Sequence, residues 1–307
     1  MLNVTRLATF VEVARQGSIS AAALELSYTQ SAVSQQIAGL ESEAGVALLE
    51  RHARGVRPTA AGQALLAHAE GVLARLQAAE AELAAIGGLR GGLLRAASFP
   101  TAGATLMPLA IATFRARHPE VEITLAEGEP EQIAPRLAAG ELDLALLFEF
   151  DDGTQHGESL QRVELLHDPM YLALPGEHRL ARRRRLKLED LAGEAWIQTS
   201  RDSACARYVV RSCMAAGFTP NVSFESDDYQ TIQGLVAAGV GVALIPELAL
   251  SSVRQDIAIR RLDPQPPGRA VVAASPKGAA TPSAAAMLSI LQEIAARYTP
   301  IGPAASG

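Results

Sequence analysis

Apolar residues near the start of the chain recur at the spacing of an amphipathic helix. Residues 26–41 read LSYTQSAVSQQIAGLE, and the apolar positions in and just after this stretch are separated by four, three and four residues: Val33, Ile37, Leu40 and Ala44. The opposite face carries hydroxyls and amides but no acid: Ser31, Ser34, Gln35 and Ala38. Glutamine can make bidentate contacts with adenine, and serine can bond to several base edges. The pattern therefore predicts a helix whose exposed face suits the major groove of DNA.

Two further helices are predicted before this one. The first spans Val4 to Gln16 and ends at Gly17, a residue typical of helix C-termini. Ser18 can cap a short second helix that runs through Leu26, and Thr29 can cap the third. Two short helices joined by a tight turn, with a third packed across them, form a helix-turn-helix. The alternative is an ordinary three-helix core whose serines only face water.

The next segment carries a local cluster of positive charge. Leu48 and Leu49 are typical of a buried strand, and RHARGVRP (51–58) follows with three arginines around a turn at Gly55: Arg51, Arg54 and Arg57. A short hairpin of this kind beside a reading helix predicts a wing that contacts phosphates. The alternative is a solvated surface loop.

A long helix is predicted from Ala60 to Ile86, preceded by Thr59 as a cap. Its apolar positions recur at alternating steps of four and three: Leu65, Ala69, Val72, Leu76, Ala79, Leu83 and Ile86. Such a seam is typical of helix pairing, and the helix would be about 40 Å long. We expect it to pair two copies of the chain, because two half-sites on DNA need two reading heads at fixed spacing. The alternative is that the helix lies along its own domain.

The overall charge does not resemble that of a basic nucleic-acid coat. The net charge of the chain is −6. Residues 1–58 contain five arginines and five glutamates, which sum to zero. We expect the positive charge to be concentrated at the wing, with the glutamates elsewhere: Glu12, Glu25, Glu41, Glu43 and Glu50. DNA affinity should then depend strongly on dimerisation and on salt.

These motifs identify a family resemblance. FVEVARQGSISAAALELSYTQSAVSQQIAGLE (10–41) and GVALLERHARGVRPTAAG (45–62) resemble the LysR-type transcriptional regulators, and the likeness extends over residues 2–297. That bacterial family has an N-terminal winged helix-turn-helix, a linker helix and a C-terminal effector-binding domain. One departure is Leu49, where the family often has Phe. The resemblance implies base contacts by Gln30, Ser31, Ser34 and Gln35, and backbone contacts by Thr29, Arg51 and Arg54.

The rest of the chain has an α/β pattern. GGLRGG (87–92) has four glycines in six residues and predicts a linker. Beyond it, short β-like runs alternate with helical ones, which indicates a largely parallel sheet flanked by helices. The resemblance implies two lobes like those of periplasmic binding proteins, joined by crossing strands near residues 162–166 and 264–269. The expected domains are 1–58 for DNA binding, 59–90 for the linker helix and hinge, and 91–300 for effector binding. Within the last, lobe one is 91–163 with 268–300, and lobe two is 164–267.

A ligand site is expected where strands of the two lobes end. One strand leads into Ser98, Pro100 and Thr101 ahead of a helix, and another leads into Thr199, Ser200 and Arg201. Hydroxyls and free N–H groups at helix starts suit a carboxylate or phosphate, so a small anionic metabolite is the expected effector. Phe148 is expected as an apolar wall, with Glu225, Asp227 and Ile245 as further candidates. The alternative is that these serines and threonines only cap helices.

The remaining chemistry-bearing residues suggest no second site. Cys205 and Cys213 lie eight residues apart in one predicted helix, about 12 Å at helical rise, which is too far for a disulfide. We expect two buried thiols, with a minor redox alternative for Cys205 because it lies near a helix start. The run ARRRRLK (181–187) is expected to be a solvated loop rather than a second DNA contact.

Three classes of protein remain as alternatives. No signal peptide and no apolar run of 18 residues is found, so we expect a cytoplasmic chain without membrane contact. A secreted binding protein would need an export signal but not residues 1–90. An enzyme is disfavoured because no nucleotide-binding, metal or catalytic-triad motif is present, and no cofactor is expected. The expected partners are double-stranded DNA, a small-molecule effector, further copies of the chain as a homodimer or homotetramer, and RNA polymerase.

Overall fold

The computed structural model describes residues 2–52, 55–86, 92–151, 159–183, 185–264, 268–278, 281–299 and 302. The first part of the chain folds into three helices, a hairpin and one long helix. They are α1 (Val4–Gln16), α2 (Ile19–Glu25), α3 (Gln30–Ala44), β1 (Leu49–His52), β2 (Gly55–Pro58) and α4 (Ala60–Ile86).

The predicted helix boundaries are confirmed. Ser18 and Thr29 accept hydrogen bonds from first-turn N–H groups of α2 and α3, and Thr59 accepts one from the N–H of Gly62 at the start of α4. Gly17 ends α1 in the left-handed conformation, with φ of 62°. Val33, Ile37 and Leu40 are buried against α1, as the apolar spacing indicated.

The hairpin β1–β2 is fixed to the helices by backbone contacts. The N–H of Val56 donates to the carbonyl of Gly17, 2.9 Å away. Gly55 has φ of +139°, and a Cβ there would lie 2.2 Å from that same carbonyl oxygen. From the other side, the Glu41 carboxylate accepts the N–H groups of Leu48 and Leu49. The position of the hairpin relative to α3 therefore depends on one close approach that only glycine allows.

Helix α4 has the predicted length, but its apolar seam has two environments. Leu65 and Ala69 pack against the core of the first domain. Val72 and Leu76 are 48% and 42% exposed. Next to Val72, a Cβ on Gly71 would lie 2.6 Å from the carbonyl oxygen of Ala139, so α4 also contacts the second half of the chain. The expectation that the seam pairs two helices therefore applies to its exposed part, whereas the start of α4 lies on its own domain.

The second half of the chain begins with a five-stranded sheet in the order β4-β3-β5-β12-β6. Its elements, with the helices on its faces, are β3 (Gly92–Ser98), α5 (Pro100–Arg117), β4 (Val121–Glu127), α6 (Pro130–Ala139), β5 (Leu144–Phe150), β6 (Leu160–Asp168), β12 (Arg269–Pro276) and α9 (Pro282–Ala296). β3 is parallel to β4 and β5, but β12 is antiparallel to β5 and β6. This sheet is mixed, because β12 returns from the other lobe and enters from the opposite end.

The second lobe contains β7 (Met170–Pro175), β8 (Ala195–Gln198), α7 (Ala204–Ala215), β9 (Asn221–Glu225), α8 (Tyr229–Ala237), β10 (Ala243–Pro246) and β11 (Ile257–Arg260). β10 and β11 pair antiparallel with β7, while β8 and β9 are parallel. The N–H of Ile197 donates to the carbonyl of Val242, which joins the two strand groups. The expectation of a largely parallel sheet is wrong for the strands beside β7, which enters directly from β6.

The crossings between lobes differ in detail from the expected positions. β6 stays paired with β12 through Asp168, so the chain changes sheets between Asp168 and Met170, a few residues after the expected segment. The second crossing includes residues 265–267, which lie outside the described residues, as do residues 87–91 of the glycine-rich linker. The other domain boundaries stay predictions. Among the helices described, none combines the length and the apolar character needed to cross a membrane.

We predict that Gly55→Ala destabilises the first domain and weakens DNA binding, because the new methyl group would overlap the Gly17 carbonyl and displace the hairpin. Gly45→Ala is the matched control. Gly45 also has positive φ, at 71°, but nothing lies within 4 Å of the position that a Cβ would take there, so that variant should show only the backbone cost of about 1 kcal/mol. Thermal unfolding and gel shift check both variants, and equal effects would contradict the close-approach argument.

Candidate DNA interface and effector cleft

The outer face of α3 is polar and open. Gln30, Ser31 and Gln35 are exposed and Ser34 is half-buried. Thr29, also exposed, holds the start of the helix by accepting the N–H of Ala32 at 3.2 Å and by contacting the Ser31 hydroxyl at 3.0 Å. These residues form one continuous face without a carboxylate, as the sequence predicted.

The inner side of α3 is bound to α1 by polar contacts. The Thr9 hydroxyl donates to Gln36 Oε1 at 2.7 Å, and Arg6 forms an ion pair with Glu43. Together with the Glu41 contacts to the hairpin, they use two of the acidic groups of this domain internally. The exposed face of α3 is therefore held in a fixed orientation.

The hairpin contributes a groove beside α3. Arg15, His52 and Arg57 line an open groove between the end of α1 and β2, with a volume of about 1120 Å³. Arg51 lies in β1, whereas Arg54 lies outside the described residues. One expectation is corrected here. Glu50 is part of β1, where its carboxylate lies 3.0 Å from His52 Nε2, so the wing is not free of acidic residues.

A second candidate site lies between the two lobes. A cavity of about 280 Å³ is lined from the first lobe by the start of α5 and from the second by the starts of α7 and α8; its walls are Phe99, Pro100, Thr101, Glu129, Phe148, Thr199, Ser203, Cys205, Asp227, Tyr229 and Arg269. A more open cavity of about 960 Å³ adjoins it and shares Pro100, Thr101, Asp227 and Tyr229. The structure thus brings together the two strand ends that the sequence singled out.

Arg269 is the central polar group of this cleft. Its guanidinium, 1% exposed, donates to Asp168 Oδ2 at 2.9 Å and to Thr101 Oγ1 at 2.7 Å. It also lies over the rings of Phe99 and Phe148, at 4.8 and 4.4 Å from their centroids. Asp168 in turn accepts the N–H of Leu248. One buried ion pair therefore connects both crossing strands to both lobes.

The predicted hydroxyl residues occupy different positions around the cleft. Thr101 and Thr199 line the cavity, and Thr199 Oγ1 lies 2.6 Å from Ser203 Oγ. Ser98 is buried behind the wall, where its hydroxyl donates to the carbonyl of Phe99. Ser200 contacts Asp227 through both its N–H and its hydroxyl, at 2.8 and 2.6 Å. Ser200 therefore positions an acidic wall residue rather than forming the wall.

Two of the expected effector-site residues lie outside the cavity wall. Arg201 pairs with Glu225 at 3.1 Å and its side chain is 77% exposed, so it does not add charge to the cavity. Ile245 is fully buried in the apolar core of the second lobe, among Tyr171, Ile197 and Ile232. The spacing of strands alone did not show which face of β10 points inward.

The N-terminus of α7 is already occupied by a side chain from the other lobe. Glu131 of α6 accepts the N–H of Ala204 at 3.1 Å and pairs with Arg207 at 3.0 Å. In α5, by contrast, the N-cap residue Phe99 provides no side-chain hydrogen bond and Pro100 has no N–H. The first turn of α5 is therefore the helix start in this cleft that keeps N–H groups for a ligand.

Burial changes the titration of several groups in the cleft. Burial raises the pKa of Glu129 to about 7, Arg269 opposes that change, and nearby carboxylates add to it. Burial also raises the pKa of the Cys205 thiol, which lies 3.7 Å from Arg269 Nη1, and raises that of Cys213 to about 12. Both cysteines are free and buried, as expected, and both remain protonated thiols near neutral pH.

Sequence reasoning missed three residues that define this cleft, namely Glu129, Tyr229 and Arg269. Arg269 lies at the end of a predicted crossing segment, and a charged residue at the start of an otherwise apolar run (RAVVAAS) is a signal of a buried partner.

In the basic run 181–187, Arg183 pairs with Asp190 and Arg182 approaches Glu177, while Arg184 lies outside the described residues. Among the residues that the structure covers, no group of His, Cys, Asp and Glu could hold a metal ion.

Two family descriptions match this chain and together span most of it. Residues 4–63 match the bacterial regulatory helix-turn-helix protein, lysR family, and residues 87–296 match the LysR substrate binding domain.

Known proteins are similar over most of their length. AlsR of Bacillus subtilis, an HTH-type transcriptional regulator, is 32% identical over 85% of this chain and 86% of its own. OxyR of Escherichia coli, a DNA-binding transcriptional dual regulator, is 31% identical over 83% and 82%. Two solved structures share the fold: a full-length OxyR variant of Pseudomonas aeruginosa (TM-score 0.74, 24% identity, 96% and 95% covered) and full-length CbnR complexed with target DNA (0.70, 23%, 95% and 99%).

We predict that Asp168→Asn destabilises the effector domain by about 3–5 kcal/mol, because it leaves the buried Arg269 guanidinium without a counter-charge. Asp256→Asn is the control, since Asp256 forms a comparable ion pair with Arg254 at the surface and its loss should change stability little. The single tryptophan, Trp196, is fully buried in this domain, so its fluorescence during urea unfolding reports the effect. Equal stability of the two variants would show that the buried pair does not hold the lobes.

Proposed function

The chain belongs to the LysR family of DNA-binding transcriptional regulators with an effector-binding domain, and we propose that α3 reads base edges in the major groove of its operator. The observation that carries this proposal is the acid-free outer face of α3. Gln30, Ser31, Ser34 and Gln35 are assigned to base edges. Thr29, Arg51 and Arg54 are assigned to the DNA backbone, together with Arg57 in the adjoining groove.

Dimerisation is the second part of the proposal. Val72 and Leu76 are exposed apolar residues at successive seam positions of α4, where a second copy of the helix can cover them. CbnR, one of the similar structures, is complexed with its target DNA. By analogy, two copies of this chain would place two α3 helices on successive half-sites. A homodimer or homotetramer, in the cytoplasm with the chromosome, is the expected assembly, and a contact with RNA polymerase at the promoter stays a prediction.

The interlobe cavity is proposed as the effector site. It is lined from both lobes, and Thr101 and Thr199 face it, so a small molecule there would contact both halves of the domain. The expected carboxylate of the ligand fits best at the first turn of α5, whose N–H groups lack a capping side chain. We assign this cavity a binding role without chemistry, because the similar proteins are named as regulators. Binding can then shift the protein between two states only by its difference in affinity for them.

We predict that Gln30→Ala or Ser34→Ala weakens binding to an operator selected from random-sequence DNA more than binding to unrelated DNA. Loss of a bidentate contact from Gln30 removes about 1–3 kcal/mol of discrimination, and loss of the single hydroxyl contact from Ser34 removes less. Arg51→Ala should weaken both kinds of binding and reduce the slope of log K against log salt by about 1. Gel shifts at several salt concentrations measure these effects, with Gln63→Ala on the exposed side of α4 as the control. Uniform loss in the α3 variants would count against base reading.

We predict that Leu76→Lys converts the dimer to a monomer and lowers operator affinity, because a charge would replace an apolar residue in the helix seam. Met214→Lys is the matched control, since Met214 of α7 is exposed and apolar but lies outside the seam. Sedimentation at micromolar concentration distinguishes the two variants. A Leu76→Lys protein that remains dimeric would exclude the exposed part of α4 as the interface.

A further inference from the structure

Most charged groups around the interlobe cavity are already paired within the protein. Arg269 is neutralised by Asp168, and Glu131 is held by Arg207 and the N-terminus of α7. Asp227 accepts both the N–H and the hydroxyl of Ser200. The positive charges and hydrogen-bond donors that a second anionic group would need are therefore largely occupied.

Glu129 is the exception. It is the N-cap residue of α6, where it forms a capping box with Gln132, and it lines the cavity in a half-buried position without an ion-pair partner among the described residues. Within the described part of the chain, no positively charged side chain lies within ion-pair distance of it. The groups whose charges act on it are Arg269, Glu131, Asp227 and Glu127, so three of the four are acidic. A carboxylate removed from water in such surroundings is costly to ionise unless a cation or strong donor reaches it.

The adjoining cavity has the same sign of charge. Its walls contain Glu127, Asp227 and Asp228, and none of its described wall residues is Arg or Lys. Asp228 is used as the cap of α8, where it accepts the N–H groups of Gln230 and Thr231. A ligand with negative groups at both ends would therefore bring one of them close to Glu129 and Asp227 without compensation.

We propose that the effector carries a basic nitrogen that pairs with Glu129, in addition to a carboxylate at the first turn of α5, so that its class is the zwitterionic, amino-acid-like metabolites. This inference rests on the proposed function, in which the interlobe cavity is the effector site. It specifies the expected anionic metabolite further, since the anionic group is kept and a positive group is added at the opposite wall.

The chemistry of the cavity wall fits this class. Phe99, Phe148 and Tyr229 provide apolar and aromatic walls between the two polar ends. A compact ligand with opposite charges at its ends and an apolar body complements this arrangement.

Calorimetry on the full-length protein tests the class with matched compounds. The probes are the twenty common L-amino acids, the same molecules without the α-amino group, and the same molecules without the α-carboxylate; for valine these are 3-methylbutanoate and isobutylamine. We expect at least one amino acid to bind about 10- to 100-fold more tightly than its deaminated acid, since a hydrogen-bonded charge contact is lost. A deaminated acid that binds as tightly as its parent, or the absence of binding by every amino acid, overturns the proposal.

Variants separate this inference from the proposed site. Glu129→Gln should weaken the amino acid about 10- to 100-fold and leave the deaminated acid unchanged or tighter, whereas Glu122→Gln, on the exposed side of β4, should change neither. Thr101→Val should weaken both compounds. If Thr101→Val has no effect, the cavity is not the effector site; if only Glu129→Gln has no effect, the site stands and the class is wrong.

The pH dependence gives a second readout. With its pKa near 7, Glu129 is largely protonated at pH 6 and must release a proton when it binds a cation. Affinity should therefore rise with pH through about 7 and then level off, and proton release should appear at pH 6 when titrations are compared in two buffers of different ionisation enthalpy. Glu129→Gln should remove both effects. A pH-independent affinity in the wild-type protein contradicts the pairing.

Discussion

The buried ion pair of Asp168 and Arg269 is the constraint on which the effector domain depends. Asp168 ends β6 and Arg269 begins β12, the two strands next to the crossings between lobes, and the pair also holds Thr101 from the first lobe and the N–H of Leu248 from the second. A buried pair of this kind adds little net stability, but loss of one partner is costly. Its value is therefore geometric. It fixes where the two lobes meet, and it leaves no unpaired positive charge among the described residues that line the cavity. In the proposed effector class, Glu129 is the group that selects the ligand.

In the DNA-binding half, most of the relevant acidic side chains are paired within the domain. Its acidic and basic residues balance, the outer face of α3 from Gln30 to Gln35 carries no carboxylate, and several acids of the domain are used internally. Glu41 accepts N–H groups of the hairpin, Glu43 pairs with Arg6, and Glu12 pairs with Arg15. The Glu41 and Glu43 contacts also hold the hairpin and α1 against α3. These carboxylates, which would repel phosphates if they were free on the surface, thus set the relative positions of α1, α3 and the hairpin.

Helix α6 connects the two halves of the molecule physically. Its start carries Glu129 and Glu131, which face the cavity and the second lobe, and its last residue, Ala139, touches Gly71 of α4. This helix of ten residues contacts both the interlobe cavity and the linker helix, so a displacement of α6 would change the contacts at both ends. The close approach at Gly71, like that at Gly55, requires a residue without a side chain.

The sequence alone determined the local structure, because caps, helix periodicity and glycine positions act over a few residues. Thr29, Gly17 and the apolar spacing of Val33, Ile37 and Leu40 were sufficient to predict the DNA-binding helices, and the resemblance implied two lobes and a cleft between their strand ends. The tertiary structure decided the content of that cleft. It buried Ile245, turned Arg201 toward Glu225, and brought Arg269 next to Thr101, 168 residues away in sequence. Which charges neutralise one another across such separations depends on how the chain crosses between lobes, and no local pattern records it.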